Sequence, residues 1–124
     1  MQNTRTILSE EERENVLHRD GGDCWFVDCD QQGTDFDHAF VLGNNGKRFK
    51  EKVLNHNWNV HLICRPCHIQ ITYPVNRQDF MKRLFVMKDS LQKLMFDKTI
   101  GIENVEAVYK IYKERKVFTE QKYE

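Results

Sequence analysis

The apolar residues of this chain change their spacing along its length. From Asn76 onward, Phe80, Leu84, Met87, Leu91 and Leu94 recur every three or four positions through NRQDFMKRLFVMKDSLQKLMF, the spacing of one helix face. GIEN breaks that run. A last helix follows in ENVEAVYKIYKERKVF, with Val105, Val108, Ile111 and Tyr112 inward. Earlier in the chain the period falls to two. TDFDHAFVL (34–42) sets Phe36, His38 and Phe40 on one strand face and Asp37, Ala39 and Val41 on the other. WNVHLI (58–63) sets Trp58, Val60 and Leu62 against Asn59, His61 and Ile63. Pro66 marks the first turn of a short helix, RPCHIQIT, which Pro74 closes. Near the start, Ser9 and Glu12 form a capping box for a helix in ILSEEERENVLHRDGG, and Gly21 and Gly22 stop it. Leu8 and Arg13 take the staple positions, where Arg13 is a poor partner. The pattern predicts an α+β fold: helix, a Cys-bearing turn, strand, a Gly/Asn loop at GNNGKR, strand, short helix and C-terminal helices. The long apolar stripes read as core or subunit contact, not as a cofactor box.

A length of 124 residues sets the expectation of a single domain with a thin core, which a bound metal would help to hold. A hydrophobic fraction of 40% and a charged fraction of 31% suit a folded, polar globule rather than a disordered tail. No apolar run approaches the ~20 residues that span a bilayer, so no membrane partner is expected. The first residues, MQNTRTILSEEERE, carry no apolar signal region, and the expected location is intracellular, in the cytoplasm. The formal net charge is +0, which counts mildly against nucleic acid as a partner. That balance hides an uneven distribution: SEEERE is acidic, whereas GKRFKEK (46–52) and YKIYKERK (109–116) are basic.

The four cysteines fall into two pairs, Cys24/Cys29 and Cys64/Cys67. In a chain without a signal region, this arrangement reads as a tetrahedral Zn²⁺ site rather than two disulfides. Cys64-x2-Cys67 has the spacing of a metal knuckle, and Cys24-x4-Cys29 is a looser version of it. Trp25 and Phe26 are available to cover the ion. Reduced buried thiols, or a redox pair at CRPC, are the competing readings, though no βαβ pattern surrounds the motif.

Around this framework stand Asp37, His38, Asn59 and His68. None is a thiol, so together they suit a second, harder site for Mg²⁺ or Mn²⁺. One divalent ion with open positions clamps a phosphate, and a neutral His takes a proton from water, so these parts suffice to hydrolyse a phosphodiester. Each residue also has a plainer reading. His38 can be a surface or core His, Asn59 a turn residue, and His68 a zinc ligand beside Cys67.

The order of RENVLHRDGGDCWFVDC, DHAF and NVHLICRPCH resembles the HNH endonuclease family, over about residues 12 to 72. In that family an Asn lies five positions before the first Cys of the second pair, and a His follows its second Cys. Asn59, Cys64, Cys67 and His68 keep that spacing. The resemblance implies a ββα-metal core over residues 9–75 and a helical C-terminal extension over 76–124. It implies a metal-dependent DNA endonuclease, with His38 as general base and Asp37 and His68 as ligands of the catalytic divalent ion. Asn59 would hold the loop of the base or orient His38, and can approach the metal. Cys24, Cys29, Cys64 and Cys67 would bind structural zinc.

The sequence departs from the family pattern in four places. The first Cys pair is spaced by four residues, no Pro follows DH, no basic residue follows the final His, and His56 lies between His38 and Asn59. His56 or His61 is therefore an alternative ligand; His61 shares a strand face with Asn59. Lys47, Arg48, Lys50 and Lys52, after the His38 strand, are candidates for DNA phosphate contacts. The C-terminal helices are the expected surface for a second copy or a protein partner. The competing function is a zinc-stabilised module that binds nucleic acid or protein without catalysis.

Overall fold

The computed structural model describes residues 8–40 and 56–123. Within them, helix α1 (Glu10–Asp20) opens on the expected capping box: the Ser9 hydroxyl accepts from the Glu12 N–H, and the Glu12 carboxylate accepts from the Ser9 N–H. Gly21 ends it at φ +68°, the left-handed conformation that glycine adopts without strain, and donates to the Leu17 carbonyl. The staple residue Leu8 is buried with Val16, Val60 and Leu62 in a small core under α1.

Strands β1 (Asp35–His38) and β2 (Val60–Ile63) form a two-stranded antiparallel sheet, with Asp37 opposite His61 and His38 opposite Val60. Both are shorter than the alternation predicts. Residues Asn57–Asn59 curl into a 3₁₀ turn instead of extending β2. Past His38 the ladder is replaced by Asn59, whose backbone carbonyl accepts from Ala39 and whose side chain bonds the Phe40 backbone. Positions 41–55 lie outside the described residues. The free edge of β2 is occupied rather than exposed. Asp20 accepts from the Leu62 N–H, Arg19 donates to the Val60 carbonyl, and the Trp25 N–H donates to the Leu62 carbonyl. Gly33 fits tightly against β2, since a Cβ there would lie 2.4 Å from the Leu62 Cγ.

Helix α2 (Arg65–Thr72) starts directly after β2, with Cys64 as its N-cap and Pro66 in its first turn. Asn76 then caps α3 (Arg77–Leu94) by accepting from the Asp79 N–H, and α4 (Ile102–Lys122) follows after Gly101. The predicted stripe on α3, Phe80 to Leu94, is buried throughout, as is Val108 on α4. The main core joins Ile63, Cys64 and Ile71 of the ββα unit to Val86, Met87, Leu91 and Leu94 of α3 and Val108 of α4. The C-terminal helices therefore form one wall of the unit that carries the cysteines and strands. Among the described residues, no helix is long and apolar enough to cross a membrane.

Candidate metal centres

Two elements deliver the four cysteines to one point. Cys24 and Cys29 bracket a turn closed by the Cys29 N–H bonding the Phe26 carbonyl, while Cys64 and Cys67 sit on the first turn of α2. The four sulfur atoms lie within 4.8 Å of one another, and all four thiols are free. Cys29 Sγ is 3.7 Å from Cys64 Sγ and 3.9 Å from Cys67 Sγ. A tetrahedral ion with Zn–S bonds of ~2.3 Å spaces its sulfurs about 3.8 Å apart. The cluster thus fits a closed structural metal site such as one for zinc. Burial raises the thiol pKa of Cys24 and of Cys67. At Cys64 burial is outweighed by hydrogen bonds from the Cys67 backbone and the neighbouring thiols, and the pKa falls. Phe26 is buried in the same core, while Trp25 stacks edge-on against Phe26 and His61.

A second constellation lies on the Asp35/Asp37 face of β1. His68, one turn into α2, places Nδ1 2.9 Å from Asp35 Oδ2 and Nε2 3.4 Å from Asp37 Oδ1. With a carboxylate facing each ring nitrogen, the charged form of the ring donates to both; a neutral ring that kept its Nδ1–H on Asp35 would present Nε2 as a ligand atom, the arrangement by which a carboxylate orients a metal-binding His. Adjacent ligand atoms on an octahedral ion at ~2.1 Å stand about 3.0 Å apart, and the 3.4 Å of this pair is a few tenths of an ångström wider. Both carboxylates already have a guanidinium partner. Arg65 Nε lies 2.7 Å from Asp35 Oδ2, and Arg83 of α3 grips Asp37 with both terminal nitrogens, at 2.8 and 2.9 Å. Arg83 is fixed further by its Nε, which donates to the Ile71 carbonyl at 3.2 Å. A carboxylate has about four lone-pair sites, so Asp37 Oδ1 can accept from Arg83 and still face His68.

Charge follows this geometry. At Asp35 burial works upward, but hydrogen bonds from Arg65 and His68 prevail and hold the carboxyl at about 2. Asp37, only 4% exposed, is lowered as well: burial opposes ionisation, and His68 and Arg83 outweigh it. Hydrogen bonding to Asp37, supported by Asp35, raises the His68 pKa against its partial burial.

Asn59 is fully buried. Its Nδ2 donates to the Phe40 carbonyl at 2.9 Å and its Oδ1 accepts the Phe40 N–H at 2.8 Å. It therefore clamps the backbone two residues after His38, at the position expected for the base loop, and both polar ends of its amide are engaged there. His38 closes β1 opposite Val60; strand alternation puts it on the Phe36 face, away from Asp37. His56 and His61 serve other partners. His56 Nδ1 accepts from the Trp58 N–H, and its Nε2 meets Asp97. His61 shares the sheet face of Asp37, but its Nε2 bonds Asp89 of α3 at 2.9 Å, and its buried Nδ1 has no hydrogen-bond partner. Burial lowers the His61 pKa, although Asp89 opposes it. Lys47, Arg48, Lys50 and Lys52 lie outside the described residues.

Sequence reasoning missed Asp35, Arg65 and Arg83. Asp35 had a signal, since it stands two residues before Asp37 on the same strand face. Arg83 comes from 46 positions away and had none. Comparisons of the chain with family models, with curated proteins and with solved structures find no match.

Proposed function

We propose that the protein is a metal-dependent DNA endonuclease of the HNH type, with a zinc-clamped ββα unit presenting a one-metal phosphodiester-cleaving site. The observation that carries this reading is His68: Asp35 holds its Nδ1, and its Nε2 faces Asp37 Oδ1 at 3.4 Å. A bare scaffold needs the four thiols but not this oriented pair. In the reading, Zn²⁺ sits among Cys24, Cys29, Cys64 and Cys67 and locks α2 onto the turn before β1. Asp37 and His68 hold Mg²⁺ or Mn²⁺, which supplies charge stabilisation for the phosphate and the leaving oxygen. His38, the last residue of β1 and next to Asp37, takes the proton from the attacking water, which requires its ring to swing round the strand end towards the Asp37 side. Asn59 is a positioning residue that fixes the backbone after His38 through Phe40. DNA is the partner, and Lys47, Arg48, Lys50 and Lys52 are its phosphate contacts. We place any second copy or protein partner on α4, where Tyr109, Val117 and Phe118 are exposed.

A second reading rests on a different observation. Arg65 and Arg83 already neutralise Asp35 and Asp37, so the cluster is complete as an ion-pair network without metal, as in a zinc-stabilised binding module that does not cut. Supercoiled plasmid separates the two. Zinc-loaded protein with Mg²⁺ or Mn²⁺ nicks or linearises it, and His38→Ala loses that activity by at least about a hundredfold. Absence of cleavage of plasmid, linear duplex and single strands with either ion would leave the binding module as the function.

A further inference from the structure

The neutral chain carries charge in two patches that neither metal site uses. In α1, Glu10, Glu14 and Leu17 stand at i, i+4 and i+7 and form one stripe along the helix. Val16 is buried against the sheet, while Leu17 beside it is 41% exposed. In α4, Lys110, Lys113 and Val117 stand at i, i+3 and i+7, again one stripe, and Val117 is 49% exposed. With Tyr109 and Phe118 beside them, these three line an open groove of about 560 Å³, in which Glu114 is the one acidic residue. Among the described residues, no ion pair engages Glu10, Glu14, Lys110 or Lys113. The two stripes cannot meet within one chain. Val16 packs with Val60 and Leu62, so α1 covers one face of the sheet. Ile63 and His61 point the other way, to α3, and α4 packs beside α3 on that side. The acidic stripe and the basic groove therefore lie on opposite sides of the molecule.

We infer that the α4 groove receives the α1 helix of a second copy of this chain. Charge complementarity selects this occupant, and the spacing of the two stripes sets its direction. Laid parallel, they bring Glu10 to Lys110, Glu14 to Lys113 and Leu17 to Val117; laid antiparallel, Leu17 would meet Lys110. A nucleic-acid strand would use the lysines but leave Val117 and Phe118 without an apolar partner, whereas an acidic helix with one exposed leucine uses both. The two patches differ, so the contact is heterologous: copies join head to tail, in a ring if the rotation closes and in an open chain if it does not. A formal net charge of +0 lets copies approach without mutual repulsion. One helix laid on another buries a small area, so the association is reversible and sensitive to salt. The inference concerns assembly alone and is independent of the metal sites.

Sedimentation velocity of the zinc-loaded full chain, at ~0.05 M and ~0.5 M salt, tests this. The parent's sedimentation coefficient rises with protein concentration at low salt and returns to the monomer value at high salt. Lys113→Glu and Glu14→Lys each weaken association by at least about tenfold, because each sets like charges face to face. A chain carrying both changes restores opposite charges across the contact and associates as the parent does. Both positions are exposed, and an unchanged thermal melt shows that the variants are folded. A parent that stays monomeric at low salt overturns the inference, whether or not the protein cuts DNA. Association that survives both single changes uses another surface and overturns it equally. So does a doubly changed chain that stays apart, since these two positions then do not pair. Duplex DNA bound by a monomeric parent and released by Lys113→Glu would give the groove to nucleic acid instead.

Discussion

The four-cysteine cluster and the Asp37–His68 pair share the start of α2, yet they are built on opposite principles. The cysteine cluster is closed: four soft ligands converge, and their sulfur spacing of 3.7 and 3.9 Å leaves no place for a substrate. The Asp37–His68 pair is open and hard. In the proposed reading it would contribute two ligands and leave the remaining positions to water or substrate, and it sits beside fixed cations. The proposed function divides the work along this contrast. A site that fills every coordination position can only hold the fold, whereas one that leaves positions vacant can act on something.

The largest effect should come from the closed site. Cys64→Ser removes a ligand from the N-cap of α2, and zinc content measured by elemental analysis falls from one per chain towards none. Because structural zinc contributes ~10 kcal/mol or more to small domains, the variant loses its near-ultraviolet circular dichroism and its cooperative melt. An intact melt without zinc would break the contrast at its root. The open site should behave differently. Asp37→Asn leaves Arg83 with a buried, unpaired charge and costs about 3–5 kcal/mol in urea unfolding, while zinc stays bound. Cleavage and Mn²⁺ binding are lost with it.

A smaller change separates scaffold from both sites. Gly33→Ala drives a methyl group into Leu62 of β2 and should cost about 1–3 kcal/mol, with zinc content unchanged. The smallest effects lie in two histidines with opposite signs. In protein free of divalent ions, His68 should titrate above 6.5 and His61 below it, as read by proton NMR. His68, with its pKa raised, adds stability that is complete below 6.5 and is lost as pH rises through its folded value. His61, with its pKa lowered, adds stability above 6.5 that is lost as pH falls towards its folded value. Each contributes about 1.4 kcal/mol per pH unit between its two values. His61→Gln should therefore flatten the acid side of the stability profile, and His68→Gln the alkaline side.

The sequence made local features legible and long-range ones not. The Ser9–Glu12 box, the Pro66 and Pro74 limits of α2 and the α3 stripe are each written within a few residues, and they appear as read. The cysteine cluster was legible because ligand spacing is itself a local code. The strands were overestimated because alternation ignores a side chain that replaces the ladder, as Asn59 does at Phe40. The partners of the open site were hidden for a physical reason: an ion pair needs only two heads to meet, and nothing in the spacing of Arg83 and Asp37 announces it. His61 was ambiguous in the same way. Its strand face was readable, but Asp89, which holds it, lies 28 positions on in α3.

The most direct test is the location of the two metals in one crystal. Zinc-loaded protein, crystallised with a phosphorothioate duplex and Mn²⁺, should give a zinc anomalous peak among Cys24, Cys29, Cys64 and Cys67. A separate manganese peak should lie between Asp37 Oδ1 and His68 Nε2, against a DNA phosphate. Manganese absent from that pair while DNA is bound, with Arg83 still closing Asp37, would contradict the account and leave the zinc cluster as the one functional metal site.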